Sequence, residues 1–320
     1  MIRLYRKKIG LIAIIVIVFT LLLICFLFVD FKEMFKDNVH QRESIFTILD
    51  NEGRELSGAD INLKENNKFL LSFEQSTDSW VNNIIENNDT LALICIVDGM
   101  TQNIELNGQK DKLHFIKKNE FYNLSFSENN LTDGFHSGLF VIVREPNQIN
   151  LADDIRHAGV TLSRFTLYTG GQEKFDELQI SDNNDGIFEK DKDWPIIFAI
   201  SNQANIDEDN SLEIPLFISP DETNTINLNL LYKNRDKKND FILIALKNWR
   251  QTQINGNDYI HFKLEEDECI RLPLSISLNN VNKNEPIIFI LIPNPTTLVD
   301  RLKREGDLAD YVSERMIITK

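Results

Sequence analysis

The chain has 320 residues, three cysteines and a formal net charge of −15. This acidity argues against a nucleic-acid-binding protein, because such proteins bind phosphates through lysine and arginine. Three cysteines are too few for a disulfide framework, and Cys95 and Cys269 lie in or beside apolar runs, where we expect buried free thiols. An exported protein without evident disulfides is typical of a bacterial surface.

The first element predicted along the chain is a membrane helix at residues 9–29. This segment reads IGLIAIIVIVFTLLLICFLFV and contains no charged side chain. A helix of this length spans about 31 Å, which matches a hydrocarbon core of about 30 Å. A cleaved signal peptide is the alternative, but its apolar region is shorter and ends at a small-x-small site, and none follows here. The pattern therefore favours an uncleaved anchor.

The charges that flank this segment predict its orientation. The residues before it include four cationic side chains and no acid, namely Arg3, Arg6, Lys7 and Lys8. Positive flanks stay on the cytoplasmic side, so we expect residues 1–8 to be a cytoplasmic tail and the long C-terminal part to lie outside. Residues 30–43 then form a short stem that follows the membrane.

The remainder of the chain contains an internal repeat over residues 44–169 and 195–320. Three pairs of segments match between the copies: LALICIVDGMTQNIELNG with FILIALKNWRQTQING, LFVIVREPN with IFILIPNP, and VTLSRFTLY with YVSERMIIT. The matching stretches follow in the same order at a spacing of about 150 residues. Each copy is long enough to bury a core of its own. We therefore predict two related domains joined by an acidic linker at residues 170–194.

Within each copy the pattern is that of β-strands. The runs at 91–97 and 241–246 are short, apolar and bounded by turn residues, as expected for buried strands. Two Asn-Gly pairs, at 107–108 and 255–256, predict tight hairpin turns, since both residues tolerate positive φ. The predicted fold class is an all-β ectodomain of two tandem antiparallel β-sandwich, immunoglobulin-like domains after one N-terminal transmembrane α-helix.

The best candidate ion site lies in the acidic linker. Residues 181–186 read SDNNDG and resemble the start of a calcium loop, which places oxygen ligands at alternate positions and glycine at the turn. The candidate ligands are Asp182, Asn183, Asp185, Glu189 and Asp191. Ser181 and Lys192 depart from the loop pattern where acidic residues are expected. The alternative is a solvated acidic linker that contains a turn, and Ca²⁺ is the only cofactor that the sequence suggests.

Other residues offer weaker candidates for a site. His114 and His261 occupy matching positions in the two copies, which suggests either a paired ligand or, more simply, polar residues on the outward face of a strand. The tryptophans raise the possibility of sugar stacking, although structural tryptophans are commoner; they are Trp80, Trp194 and Trp249. The sequence contains no zinc-protease, nucleophile-elbow or P-loop motif.

The function that these features favour is a non-catalytic binding or structural protein, anchored in the membrane of a bacterial envelope. Its expected partners are the membrane, through the N-terminal helix, and a protein or cell-wall polymer outside; no nucleic-acid partner is expected. Two alternatives stay open. One is an accessory subunit of a transport or secretion complex, and the other is an envelope hydrolase that uses acids with His136 or His157.

Overall fold

The computed structural model describes the strand-rich part of the chain, at residues 45–49, 60–63, 68–74, 90–117, 120–126, 131–144, 146–147, 159–171, 173–175, 187–190, 197–202, 214–215, 217–235, 240–278, 284–299, 301–302 and 310–319. The predicted anchor at residues 9–29 lies outside these ranges. Within them, no helix is long and apolar enough to cross a membrane.

The described residues form an all-β structure, as the sequence predicts. Half 1 is defined by strands β1 to β11, which are Ile45–Leu49, Asp60–Asn62, Lys68–Glu74, Thr90–Val97, Met100–Gln102, Ile104–Leu106, Gln109–Asp111, Leu113–Lys117, Phe121–Phe126, Phe135–Arg144 and Val160–Tyr168. Half 2 is defined by strands β12 to β22, which are Ile187–Lys190, Phe198–Ser201, Phe217–Ile218, Thr225–Lys233, Asp240–Lys247, Arg250–Thr252, Ile260–Lys263, Glu268–Ser277, Glu285–Pro293, Tyr311–Val312 and Met316–Ile318.

Each half contains two sheets with closely matching strand order. In half 1 the outer sheet runs β1-β3-β9-β6-β7, and the inner sheet runs β2-β11-β10-β4-β5 with β8 also beside β4. In half 2 the outer sheet runs β12-β19-β15-β13, and the inner sheet runs β14-β22-β20-β16-β17 with β18 beside β16 and β21 beside β20. The order β2-β11-β10-β4-β5 thus recurs strand for strand as β14-β22-β20-β16-β17, which agrees with the repeat in the sequence.

The direction of pairing repeats as well. In each inner sheet, one short edge strand pairs parallel to its neighbour, β2 with β11 and β14 with β22. The central pairs β10 with β4 and β20 with β16 are antiparallel. This mixed pattern occurs in both halves at the same place, so equivalent residues can be read directly from the strand registers.

The four sheets pack against one another through three apolar cores. One core fills half 1 between its outer and inner sheets, and a second fills half 2 in the same way. The third lies between the two inner sheets and is called here the shared core. Its buried members are Ala92, Ile94, Ile96, Leu139, Val141, Val143, Ile242, Ile244, Leu246, Trp249, Ile288, Ile290 and Ile292.

The shared core explains why the central strands read as unbroken apolar runs. Alternate side chains of a strand point to opposite faces of its sheet. In β4, Leu93 and Cys95 face the core of half 1, whereas Ile94 and Ile96 face half 2. A strand that is buried on both faces needs apolar residues at consecutive positions. The two halves are therefore packed face to face, an arrangement that the sequence does not predict.

The two predicted Asn-Gly turns are present. Asn107 and Gly108 have φ values of 52° and 83°, and Asn255 and Gly256 have values of 53° and 78°. The side chain of each asparagine also forms a hydrogen bond with the neighbouring strand. The side-chain oxygen of Asn107 accepts from the amide of Asn123 at 2.8 Å, and that of Asn255 accepts from the amide of Ser275 at 2.6 Å. The same local device therefore fixes the same corner in each half.

Candidate functional site

The most concentrated polar chemistry in half 1 lies where the β4–β5 turn meets the start of β10. Asp98 occupies that turn with a φ of 50°. Its amide donates to the carbonyl of Ser137 at 2.8 Å, and its carboxylate Oδ1 accepts from the amide of Ser137 at 2.8 Å. These two bonds orient the second carboxylate oxygen toward the next side chain of the cluster, His136.

His136 is 1% exposed and joins three segments of half 1. Its Nδ1 lies 2.6 Å from Oδ2 of Asp98, and its Nε2 lies 2.9 Å from the carbonyl of Thr132 and 3.3 Å from Oγ1 of Thr169. The order carboxylate, imidazole, hydroxyl has the connectivity of the acid, base and nucleophile of hydrolases. This is the only place among the described residues where we find that order.

The hydrogen bonds of this cluster are nevertheless those of a structural clasp. A carbonyl oxygen can only accept, so Nε2 of His136 carries a proton toward Thr132. Nδ1 faces the carboxylate of Asp98. Because Nε2 already carries a proton toward Thr132, it presents no lone pair that could accept a proton from Thr169. The Thr169 hydroxyl, for its part, donates to the carbonyl of Thr132 at 2.6 Å.

The equivalent corner of half 2 carries a different ion pair. Asn248 takes the place of Asp98, and its amide donates to the carbonyl of Pro286 at 2.7 Å. The corner is closed by Nζ of Lys247, which lies 2.8 Å from Oε2 of Glu285, the residue equivalent to His136. Both halves thus join this turn to the next central strand with opposite charges, and only half 1 uses histidine. The recurrence of the joint favours a structural role.

His114 and His261 do not lie on an outward face, so that interpretation of the sequence is wrong. They are 5% and 3% exposed. His114 lies opposite Leu93, which faces the core of half 1, whereas His261 lies opposite Ile242, which belongs to the shared core. The strands β8 and β18 are therefore offset by one residue from the sequence match, and such an offset exchanges the two faces.

The two histidines also have unrelated partners. Nε2 of His114 lies 3.0 Å from the carbonyl of Ile104 and 3.1 Å from that of Asp111. Nε2 of His261 lies 2.5 Å from Oδ1 of Asp240. A paired ligand made by the two histidines is excluded, since they point to opposite faces of different sheets.

The candidate calcium ligands lie mostly outside the described residues. This applies to Asp182, Asn183, Asp185 and Asp191. Glu189 lies in β12, with its backbone opposite Cys269 in β19. Among the residues that the structure describes, no group of three or more histidine, cysteine or acidic side chains is arranged to hold a metal ion. Calcium binding by the linker therefore stays a prediction.

Of the remaining candidates, Trp249 can be assigned a place. It is 2% exposed, its Nε1 donates to the carbonyl of Pro146 at 2.8 Å, and its ring lies 4.9 Å from the guanidinium carbon of Arg315. Such a ring joins the two halves and offers no platform for a sugar. Trp80, Trp194 and His157 lie outside the described residues.

The cysteines are placed as the sequence predicts. Cys95 and Cys269 are buried thiols that form no disulfide, one in each half. Burial raises the pKa of the Cys95 thiol well above its ordinary value of 9.0. A thiol of this kind remains protonated and is unreactive in the folded chain.

A second set of buried polar groups lies between the halves. Arg164 in β11 donates from Nη1 to the carbonyl of Pro293 at 2.8 Å and from Nη2 to that of Asn294 at 3.1 Å. Its Nη1 also lies 3.6 Å from Oδ1 of Asp310. Burial lowers the pKa of the Arg164 guanidinium, and the Asp310 carboxylate opposes that change.

Arg315 makes the reciprocal contact from half 2 to half 1. Its Nη2 donates to the carbonyl of Arg144, the last residue of β10, at 2.9 Å. Arg315 is 2% exposed. Arg144 and Pro293 end equivalent strands, so each arginine binds the end of the other half's central strand. Contacts that occur twice in this way define an isologous interface. The only sequence signal is an arginine at the fifth position of both matching segments, VTLSRFTLY and YVSERMIIT.

Gln251 makes a further contact between the halves. Its Oε1 accepts from the amide of Thr101 at 2.7 Å, and its Nε2 donates to the carbonyl of Gly99 at 2.6 Å. The side-chain amide therefore pairs with the edge strand β5 as a neighbouring backbone would. Thr101 is the residue of half 1 that is equivalent to Gln251, so this contact joins equivalent positions of the two halves.

Comparison with known proteins assigns the chain to no family. The sequence matches no protein-family model and no curated protein. A C-terminal domain of the antigen I/II-family protein AspA from Streptococcus pyogenes matches at 7% identity and a TM-score of 0.23, covering 88% of this chain and 100% of that domain. A bacterial ice-binding adhesin matches at 10% identity and a TM-score of 0.18, covering 87% of this chain and 65% of that one.

A multicopper oxidase, McoA from the hyperthermophile Aquifex aeolicus, matches at 10% identity and a TM-score of 0.20. The match covers 73% of this chain and 53% of the oxidase, so the chain spans about half the length of that protein. Similarity at these levels carries no functional inference. The class that the structure itself defines is an all-β protein with sandwich-like sheets.

Proposed function

We propose that the chain is a non-catalytic, membrane-anchored binding or structural protein of a bacterial cell envelope, with its strand-rich part outside the cell. The observation that carries this proposal is the shared core, which unites two sandwiches through Ile94, Ile244 and their neighbours. A block joined by a buried core holds its outer surfaces at fixed relative positions. Tethered binding and spacer proteins need that property. In this proposal each half is a sandwich of the immunoglobulin-like kind.

The membrane part of the proposal rests on the apolar run at residues 9–29 and on the cationic residues before it. The partners are then the membrane at one end and a protein or cell-wall polymer at the other. An accessory subunit of a transport or secretion complex is the alternative that shares this topology.

The hydrolase alternative has less support. The one described cluster with the connectivity of a hydrolase is that of Asp98, His136 and Thr169. A general base must present a lone pair to the nucleophile. Nε2 of His136 donates to the carbonyl of Thr132 and presents no lone pair to Thr169, so the proposed role of the cluster is to stabilise the fold.

The test is cysteine labelling in intact cells with a membrane-impermeant maleimide. Cys25 is first replaced by serine, and one exposed cysteine is then introduced in each half, Gln109→Cys or Glu222→Cys. The proposal expects both to be labelled without permeabilisation, and a Lys7→Cys control to be labelled only after it. Protection of Gln109→Cys and Glu222→Cys in intact cells would overturn the proposed location.

A further inference from the structure

The interface between the halves is isologous in its backbone, but several equivalent side chains differ, such as Ala92 with Ile242 and Thr101 with Gln251, and two further positions differ strongly in size. Most members of the shared core have an apolar residue of similar size at the equivalent position, such as Ile94 with Ile244 and Val141 with Ile290. An isologous interface repeats each contact across its axis. Positions where the two halves differ strongly in size therefore show how the halves have come to differ.

The first such position is the turn after the central strand. Gly99 follows β4 and Trp249 follows β16, each as the second turn residue. Their φ values are 76° and 62°, so the backbone is left-handed in both. Glycine adopts this conformation at no steric cost, whereas a bulky residue is uncommon in it. Trp249 is therefore maintained against its backbone preference.

The second position lies at the N-terminal end of the short strand that pairs with the central strand, which is β8 in half 1 and β18 in half 2. Leu113 lies opposite Ile94 in half 1. Tyr259 directly precedes Ile260, which lies opposite Leu243, so Tyr259 is the equivalent of Leu113 in half 2. Both side chains are half-buried and pack against the shared core.

Large and small residues meet across the interface. A Cβ on Gly99 would lie 2.9 Å from Cδ1 and 3.1 Å from Cγ of Tyr259, so this ring occupies the space that a side chain would need. By the symmetry of the interface, the pair that corresponds to Gly99 and Tyr259 is Trp249 and Leu113, which both belong to or pack against the shared core. The large residues of half 2 thus correspond to the small residues of half 1.

We propose that these two large–small pairs make the interface selective for unlike halves. Two copies of half 1 would bring Leu113 to Gly99 and leave space, whereas two copies of half 2 would bring Tyr259 to Trp249 and overlap. Voids and overlaps both destabilise a core, which makes the chain's own other half the preferred partner over the same half of a second copy. The inference does not depend on the proposed location of the protein.

The first test exchanges the sizes in the full chain, purified in detergent, and measures the thermal unfolding midpoint. Trp249→Gly with Tyr259→Leu makes both halves small, and Gly99→Trp with Leu113→Tyr makes both large. All four changes together restore large–small pairing in the opposite sense. We expect the four-fold variant to have a higher midpoint than either two-fold variant. A loss equal to the sum of the two would overturn the proposal.

The second test remains decisive if a two-fold variant fails to fold. Gly99→Ala is compared with Gly108→Ala, which has a φ of 83° but nothing within 4 Å of the added Cβ. Both carry the same backbone strain, so the difference measures the contact with Tyr259. We expect Gly99→Ala to lower the midpoint by about 5 °C more than Gly108→Ala, and Tyr259→Leu to remove most of that excess. Equal losses, or no relief by Tyr259→Leu, would refute the contact on which selectivity depends.

Discussion

Arg164 and Arg315 occupy equivalent positions in the two halves, and each binds the carbonyl that ends the other half's central strand. The distances are 2.8 Å to Pro293 and 2.9 Å to Arg144. The two guanidinium groups are stabilised differently, since Arg164 lies beside Asp310 and Arg315 stacks on Trp249. The backbone contacts are thus symmetric while the groups around them have diverged.

Replacing Arg164 should strongly destabilise the fold. Arg164→Met removes two hydrogen bonds to half 2 and also removes the guanidinium that lies 3.6 Å from the Asp310 carboxylate, whose side chain is only 4% exposed. Breaking a buried ion pair from one side costs about 3–5 kcal/mol of unfolding free energy, to be measured by equilibrium urea denaturation. Adding Asp310→Asn should recover part of the loss. Arg250→Met, at an exposed site, is the control and should change stability by less than about 0.5 kcal/mol. A loss for Arg164→Met no larger than that of the control would contradict this account.

The Asp98–His136 pair should be energetically coupled. His136→Gln removes a ring that bridges Asp98 and Thr132, while Asp98→Asn keeps a residue that tolerates positive φ, as Asn248 does at 47°. Each should lose about 2–3 kcal/mol, and the double variant should lose less than the sum by about 1.5–3 kcal/mol. Additive losses in urea denaturation would mean that the two side chains act independently.

Gln251 should matter more than a neighbouring glutamine. Gln251→Ala leaves the amide of Thr101 and the carbonyl of Gly99 without the side chain that pairs with them, at a cost of about 1–3 kcal/mol. Gln253, which is exposed and donates to Asp258 at 3.3 Å, is the matched control. Thermal melts of Gln251→Ala and Gln253→Ala should differ by several degrees, and equal midpoints would exclude a bridging role.

Features that depend on local sequence could be predicted. The turns at Asn107-Gly108 and Asn255-Gly256 follow from residues that tolerate positive φ, and the strands around 91–97 and 241–246 follow from short apolar runs. The buried cysteines follow from their apolar neighbours.

Features that depend on pairing between distant strands could not be predicted from the sequence. The match of LHF with IHF suggested equivalent histidines, but the strand registers differ by one residue and place His114 and His261 on opposite faces. The apolar runs at 91–97 and 241–246 indicate that these strands are buried. They do not indicate whether one or both faces of each strand are buried, so they do not predict the shared core. The contact of Asp98 with His136 joins residues that no spacing rule relates, and the sequence gives no sign that Trp249 is buried between the halves, since its equivalent is glycine.

The central claim, that the two halves form one folded block, is tested most directly by thiol exposure during unfolding. Cys95 lies in the core of half 1 and Cys269 is buried in half 2, so each half carries its own native reporter. In a Cys25→Ser chain, pulses of a thiol reagent across a urea gradient, followed by mass spectrometry of the two peptides, give one midpoint for each cysteine. The shared core predicts that Cys95 and Cys269 become reactive at the same urea concentration. Two clearly separated midpoints would contradict the account.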